Sequence, residues 1–103
     1  MDHYGKATYD LNEIKKLLDD PKTRIITRLS RQEAVSVGYA SEDDMVERVQ
    51  NLKESEIYKT MDAKKKPGLM QDVYRTADPN FNLYIKLQKA VRGEGVIIQF
   101  KKV

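Results

Sequence analysis

The chain has 103 residues, 40% hydrophobic and 34% charged, which suits one domain (1–103) around one core and is too short for two. Cysteine is absent and the one histidine is His3, near the N-terminus. A disulfide framework, a thiolate zinc site, a cysteine nucleophile and a histidine acid/base pair therefore drop out.

Read in chain order, residues 1–9 are polar and read as loose. Asp10 with Glu13 forms a capping-box start, and Leu11, Ile14, Leu17 and Leu18 make one apolar stripe, predicting a helix to Asp19 or Asp20. Pro21 stops it, and Arg24 to Thr27 reads as a short strand. Val35, Val37 and Tyr39 alternate as in a strand, yet Ser30 with Glu33 reads as a cap, which favours a short helix ending near Gly38. Ser41 to Asp44 caps a third helix, with Met45, Val46, Val49 and Leu52 on its buried face.

Beyond this helix the period changes to two. Tyr58 to Asp62, Met70 to Arg75, Phe81 to Lys89 and Gly95 to Lys101 read as strands. Turn signals at Pro67-Gly68, Asp78-Pro79-Asn80 and Gly93-Glu94-Gly95 separate them, and such short connections predict antiparallel neighbours. The fold class is therefore α+β: N-terminal helices packed on an antiparallel, twisted β-sheet.

The formal charge is only +3, but it is unevenly placed. Residues 1–57 carry nine basic and twelve acidic side chains, whereas residues 58–103 carry ten and four. The positive half is the sheet half, an asymmetry that points to a polyanionic partner. No apolar run approaches the roughly 18 residues that span a bilayer, and the N-terminus has no signal-peptide core, so no membrane association and a cytoplasmic location are expected.

Strand parity places Phe81, Leu83, Ile85 and Leu87 on one face and Tyr84, Lys86 and Gln88 on the other. In the last strand Val96, Ile98 and Phe100 oppose Ile97, Gln99 and Lys101. Tyr84, Lys86, Gln99 and Lys101 thus share a polar face, near a loop carrying Lys64, Lys65 and Lys66. Ammonium groups attract phosphates and a tyrosine ring stacks on an unpaired base, so the face suits single-stranded nucleic acid. From pattern alone, solubility and protection against edge pairing account for the same residues more readily.

At these residues the chain also resembles a known family. Glu54-Ser55-Glu56-Ile57-Tyr58-Lys59-Thr60-Met61, Gln71-Asp72-Val73-Tyr74-Arg75, Leu83-Tyr84-Ile85-Lys86 and Ile98-Gln99-Phe100-Lys101 resemble the MqsR (motility quorum-sensing regulator) toxins, the toxin halves of bacterial type II toxin-antitoxin pairs. The likeness is dense from about Leu52 to Arg75 and from Phe81 to Lys102. It implies a RelE-like ribonuclease fold and a metal- and ribosome-independent mRNA interferase without cofactors, with GCU-type sites in the family. It also implies a cognate antitoxin, in the best-known case a zinc-containing helix-turn-helix repressor, with DNA contacted only through that complex.

Carried over position by position, the family's catalytic residues fall on Lys59, Gln71, Tyr84 and Lys101. Met70 stands where the family has an aromatic residue before the glutamine. Arg75 shares parity with Gln71 and suits bidentate phosphate binding, or a structural salt bridge. With Lys64, Lys65, Lys66, Lys86 and Gln99 it completes the expected RNA-binding set. Lys59 and Lys101, protonated at neutral pH, are expected to stabilise charge or act as acid rather than base. Two ammonium neighbours are expected to lower the Tyr84 pKa and make it the proton-transfer group, with Gln71 positioning a phosphate or base. The alternative reading is a catalytically degenerate module that binds RNA or antitoxin without cutting.

Overall fold

A computed structural model describes residues 2–103 of the chain. The elements are β1 (His3–Tyr4), α1 (Leu11–Asp19), β2 (Arg24–Ile26), α2 (Arg28–Ser36), α3 (Glu42–Gln50), β3 (Ile57–Ala63), β4 (Lys66–Ala77), β5 (Asn82–Lys89) and β6 (Gly95–Lys102). Short 3-10 turns occupy Pro21–Thr23 and Glu54–Glu56. The strands form one sheet in the order β1-β3-β4-β5-β6-β2, with the helices packed on one face, as an α+β chain should.

Each helix starts where a side-chain oxygen satisfies an otherwise orphaned amide. Asp10 accepts from the Asn12 amide at 2.9 Å and Ser41 from the Asp44 amide at 3.1 Å, as the sequence suggests. The second helix begins earlier than the Ser30–Glu33 pairing implies. Thr27 is its cap, accepting from the Ser30 amide at 3.1 Å, while Ser30 is fully buried one turn inside. Glu33 then serves β6, where its carboxylate accepts the Phe100 amide at 3.0 Å. Glu13 likewise leaves the cap and pairs with Lys89.

Leu11, Ile14 and Leu18 of α1 pack with Met45 and Val49 of α3 against Tyr74, Leu83, Ile85, Leu87, Ile97 and Phe100 of the sheet. The helix lies so close to β6 that a Cβ at Gly95 would stand 2.9 Å from the Leu17 Cβ, which is why that position is glycine.

Several sequence expectations are corrected. Residues 3–4 are not loose: β1 pairs antiparallel with β3, His3 opposite Thr60 and Tyr4 opposite Lys59. The anchor is Asp72, 2% exposed, whose carboxylate accepts the Thr8 and Tyr9 amides at 2.9 Å each. The sheet is mixed, because β2 runs parallel to β6. The β3–β4 turn falls at Lys64–Lys65, and Pro67-Gly68 lies inside β4, which extends at both ends.

Finally, a register shift between Lys86 and Leu87 inserts Ile98 as an extra residue of β6. Ile97, opposite Leu87, thereby joins Phe100 in the core, and Val96 moves to the other face opposite Gln88. Simple alternation had placed Val96 and Ile98 with Phe100. Gln99 and Lys101 keep their expected face because they follow the bulge.

Candidate nucleic-acid interface

The face of the sheet away from the helices is ordered into rows by the strand register. One row runs Tyr4, Lys59, Val73, Lys86, Gln99 across β1, β3, β4, β5 and β6. The next runs Arg75, Tyr84, Lys101 across β4, β5 and β6. A second bulge, between Ile57 and Lys59, brings Tyr58 beside Arg75 in this row. Without it, alternation would send either Tyr58 or Lys59 to the helix side.

Tyr84 is the hub. The Lys101 ammonium lies 4.9 Å from its ring centroid and that of Lys86 5.9 Å. Arg75 is directly opposite on the neighbouring strand, its guanidinium 4.2 Å from the Tyr58 ring centroid. Val73, between Lys59 and Lys86 in its row, is fully buried.

Lys59 is held by a partner that sequence reasoning missed. Its Nζ lies 2.8 Å from the Asp2 carboxylate, with the Tyr4 and Tyr58 ring centroids at 5.8 and 5.7 Å. The hydrogen bond from Lys59 holds the Asp2 carboxyl below its ordinary range, and the same bond raises the Lys59 pKa.

Two other titrations depart from expectation or sharpen it. The Tyr84 pKa is raised, because burial outweighs the opposing pull of Lys59 and Arg75. The expected lowering by two ammonium neighbours is thus reversed, and at neutral pH Tyr84 is a hydroxyl donor. Lys86 moves the other way. Burial, followed by repulsion from Lys101, Lys59 and Lys64, lowers its pKa.

The structure therefore brings together Lys59, Tyr84, Lys86, Lys101 and Arg75, with Lys64 in electrostatic reach. Gln71 stands apart from the hub. It lies four residues from Arg75 along β4, about 13 Å, and its amide donates to the Gln88 side chain at 2.9 Å. Gln99 leans toward the Glu33 carboxylate at 3.5 Å. Lys65 and Lys66 are exposed at the hairpin end, Lys66 five residues before Gln71, about 16 Å along β4.

Asp2, Tyr4 and Tyr58 are the residues that sequence reasoning overlooked as parts of this face. Tyr58 sat inside a motif word but needed the bulge to be placed. Asp2 and Tyr4 lie in a polar stretch with no periodicity to reveal a strand.

A cleft of about 660 Å³ lies elsewhere. It lies on the helix side, where Arg48 donates to Thr76 and to the Ala77 carbonyl, and Tyr39 donates to Asp78 at 2.7 Å. Its polar groups hold α3 and the Tyr39 segment to the end of β4. Among the described residues, no helix is long and apolar enough to cross a membrane.

No curated protein sequence matches the chain. A family profile does, over residues 6–102, and its span takes in the whole Lys59–Tyr84–Lys101 face while leaving Asp2 and Tyr4 outside. That coverage places the chain in the family described as motility quorum-sensing regulator, toxin of MqsA.

Proposed function

We propose that this toxin is an mRNA interferase, a ribosome- and metal-independent endoribonuclease of the cytoplasm that cuts single-stranded messenger RNA, with GCU-type sites as in the family it resembles, and is neutralised by a cognate antitoxin. The observation that carries the reading is the convergence of Lys59, Arg75, Lys86 and Lys101 around one protonated tyrosine, Tyr84, on a solvent-facing sheet.

The chemistry follows from those protonation states. RNA carries its own nucleophile: the 2′-hydroxyl oxygen attacks the adjacent phosphorus, its proton passing to water, and a pentacoordinate phosphorane forms. Lys59 and Lys101 stabilise its added negative charge. The bond to the 5′-oxygen breaks as Tyr84 gives that oxygen its proton, leaving a 2′,3′-cyclic phosphate and a free 5′-hydroxyl. Tyr84 then regains a proton from solvent. Gln71, two residues along β4 from the Val73 that faces Lys59, is assigned to positioning a phosphate or base of the RNA.

Incubation with a defined single-stranded RNA in the presence of chelator tests this. Fragments ending in 2′,3′-cyclic phosphate are expected. A salt-sensitive mobility shift with intact RNA would instead identify a module that binds without cutting.

A further inference from the structure

Resting on the RNA-cleaving reading above, we infer that Tyr4, buttressed by Tyr58, forms a stacking subsite for a nucleobase of single-stranded RNA beside the phosphate held at Lys59. Tyr4 is 60% exposed although its backbone is fixed in the sheet opposite Lys59. The Gly5 amide donates to the Tyr58 carbonyl at 2.9 Å, extending that pairing. A large aromatic side chain on a rigid strand, left open to water, is prepared to stack with little further ordering.

Its neighbours divide the surface into supported and open parts. Tyr58 meets Tyr4 edge-on, centroids 5.3 Å apart and planes at 73°, and Tyr58 itself is half-buried with the Arg75 guanidinium over its ring. Tyr4 is therefore the open ring and Tyr58 its support. The Lys59 ammonium lies 5.8 Å from the Tyr4 ring, so phosphate and base of adjoining nucleotides meet a cation and a π-face together. That pairing of charge and aromatic surface is what unpaired RNA presents in complement. The subsite stands at one end of the Tyr4–Lys59–Val73–Lys86–Gln99 row, so it reads a base flanking the cut without touching the reacting atoms.

The test uses the full chain and an oligonucleotide bearing the mapped cleavage site, 2′-O-methylated throughout so that it binds without being cut. Tyr4→Phe is expected to hold it as tightly as the native protein, and Tyr4→Leu to weaken it on the order of 10- to 100-fold. One abasic position next to the scissile phosphate should weaken the native complex similarly and add nothing in Tyr4→Leu. The salt dependence should be unchanged in Tyr4→Leu, whereas release of β1 would free Lys59 and steepen it.

Equal affinities of the Leu and Phe variants, additive abasic effects at every position, or a steeper salt slope in Tyr4→Leu would overturn the subsite while leaving cleavage in place. A native protein that neither cuts RNA nor retains the oligonucleotide would overturn both the subsite and the functional reading beneath it.

Discussion

Asp2 occupies Lys59 as a phosphate would: its carboxylate oxygen lies 2.8 Å from the ammonium, and the Lys59 side chain is only 15% exposed. RNA bound as proposed would have to displace that carboxylate. Asp2→Asn is therefore expected to tighten binding of a 2′-O-methyl RNA by a few-fold at low salt, with the gain fading as salt screens the pair. The sign follows from the Lys59 hydrogen bond that lowers the Asp2 pKa: the carboxylate competes at all pH values above that lowered pKa and ceases to compete once protonated below it. Equal affinity of Asp2→Asn and the native protein at low salt would show that Asp2 is no competitor.

The same N-terminal segment is tied down from the other side of the sheet by Asp72. Its buried carboxylate accepts the amides of Thr8 and Tyr9, and charge-assisted bonds of this kind are costly to remove. Asp72→Ala should lower stability by about 2 kcal/mol, read as a Tm reduction of roughly 8–16 °C. Amide exchange at Gly5, Thr8 and Tyr9 should accelerate beyond the global change, because their backbone anchor is lost. Asp72 sits inside the Gln71-Asp72-Val73-Tyr74-Arg75 word, yet its work is to place β1.

Which parts of this face were legible in the sequence depended on where alternation survived. Between Leu83 and Leu87 the extra residue of the bulge belongs to β6 and not to β5, so Tyr84 and Lys86 fell on the polar side and stayed there. Lys101 was placed correctly only because Ile98 is the inserted residue and lies before it; Val96 and Ile97, before the bulge, exchanged faces. A bulge adds one residue without altering the hydrophobic content, so period-two counting cannot locate it. Asp2 and Tyr4 were invisible for a different reason. A two-residue strand has no period, and its position depends on Asp72, distant in sequence.

The helices show the same physics. Asp10 and Ser41 cap by local geometry and could be read locally. Glu33 had the spacing of a capping partner for Ser30, but a longer-range demand, the unpaired Phe100 amide on the edge of β6, takes its carboxylate. The direction of the Tyr84 pKa failed similarly. Sequence gives charges but not burial, and burial is the larger influence on that hydroxyl.

Lys86 is the strained member of the cation cluster, half-buried and repelled by Lys101, Lys59 and Lys64. A lysine whose folded pKa is depressed below its ordinary 10.5 binds fewer protons folded than unfolded between those two values, so stability rises with pH across that interval. Below it the charged ammonium carries its full penalty. Lys86→Met should raise Tm at neutral pH, and the advantage should shrink as pH approaches the ordinary lysine value. The same variant should bind RNA with a log K against log salt slope shallower by about 0.7, one phosphate contact on a single strand. A neutral or negative Tm change at pH 7 would show that the repulsion is relieved in the folded chain.

Tyr84 supplies the sharpest test of the chemistry. With its pKa raised mainly by burial, the hydroxyl keeps its proton at neutral pH, so in the proposed reaction it is assigned as the acid to the departing 5′-oxygen and not as the base. Tyr84→Phe should reduce cleavage of ordinary RNA by about 10²- to 10⁴-fold with Tm little changed, since the ring and its packing remain. Replacing the scissile 5′-oxygen by sulfur provides a leaving group that needs no proton, and the variant should then approach the native rate. In the native protein, loss of the 2′-hydroxyl proton before attack predicts a rate that climbs with pH from about 6 to about 9, where Lys59 and Tyr84, both with raised pKa values, remain protonated. Persistence of the full Tyr84→Phe defect on the sulfur substrate would move the proton donor elsewhere and leave Tyr84 as a platform for its neighbouring cations.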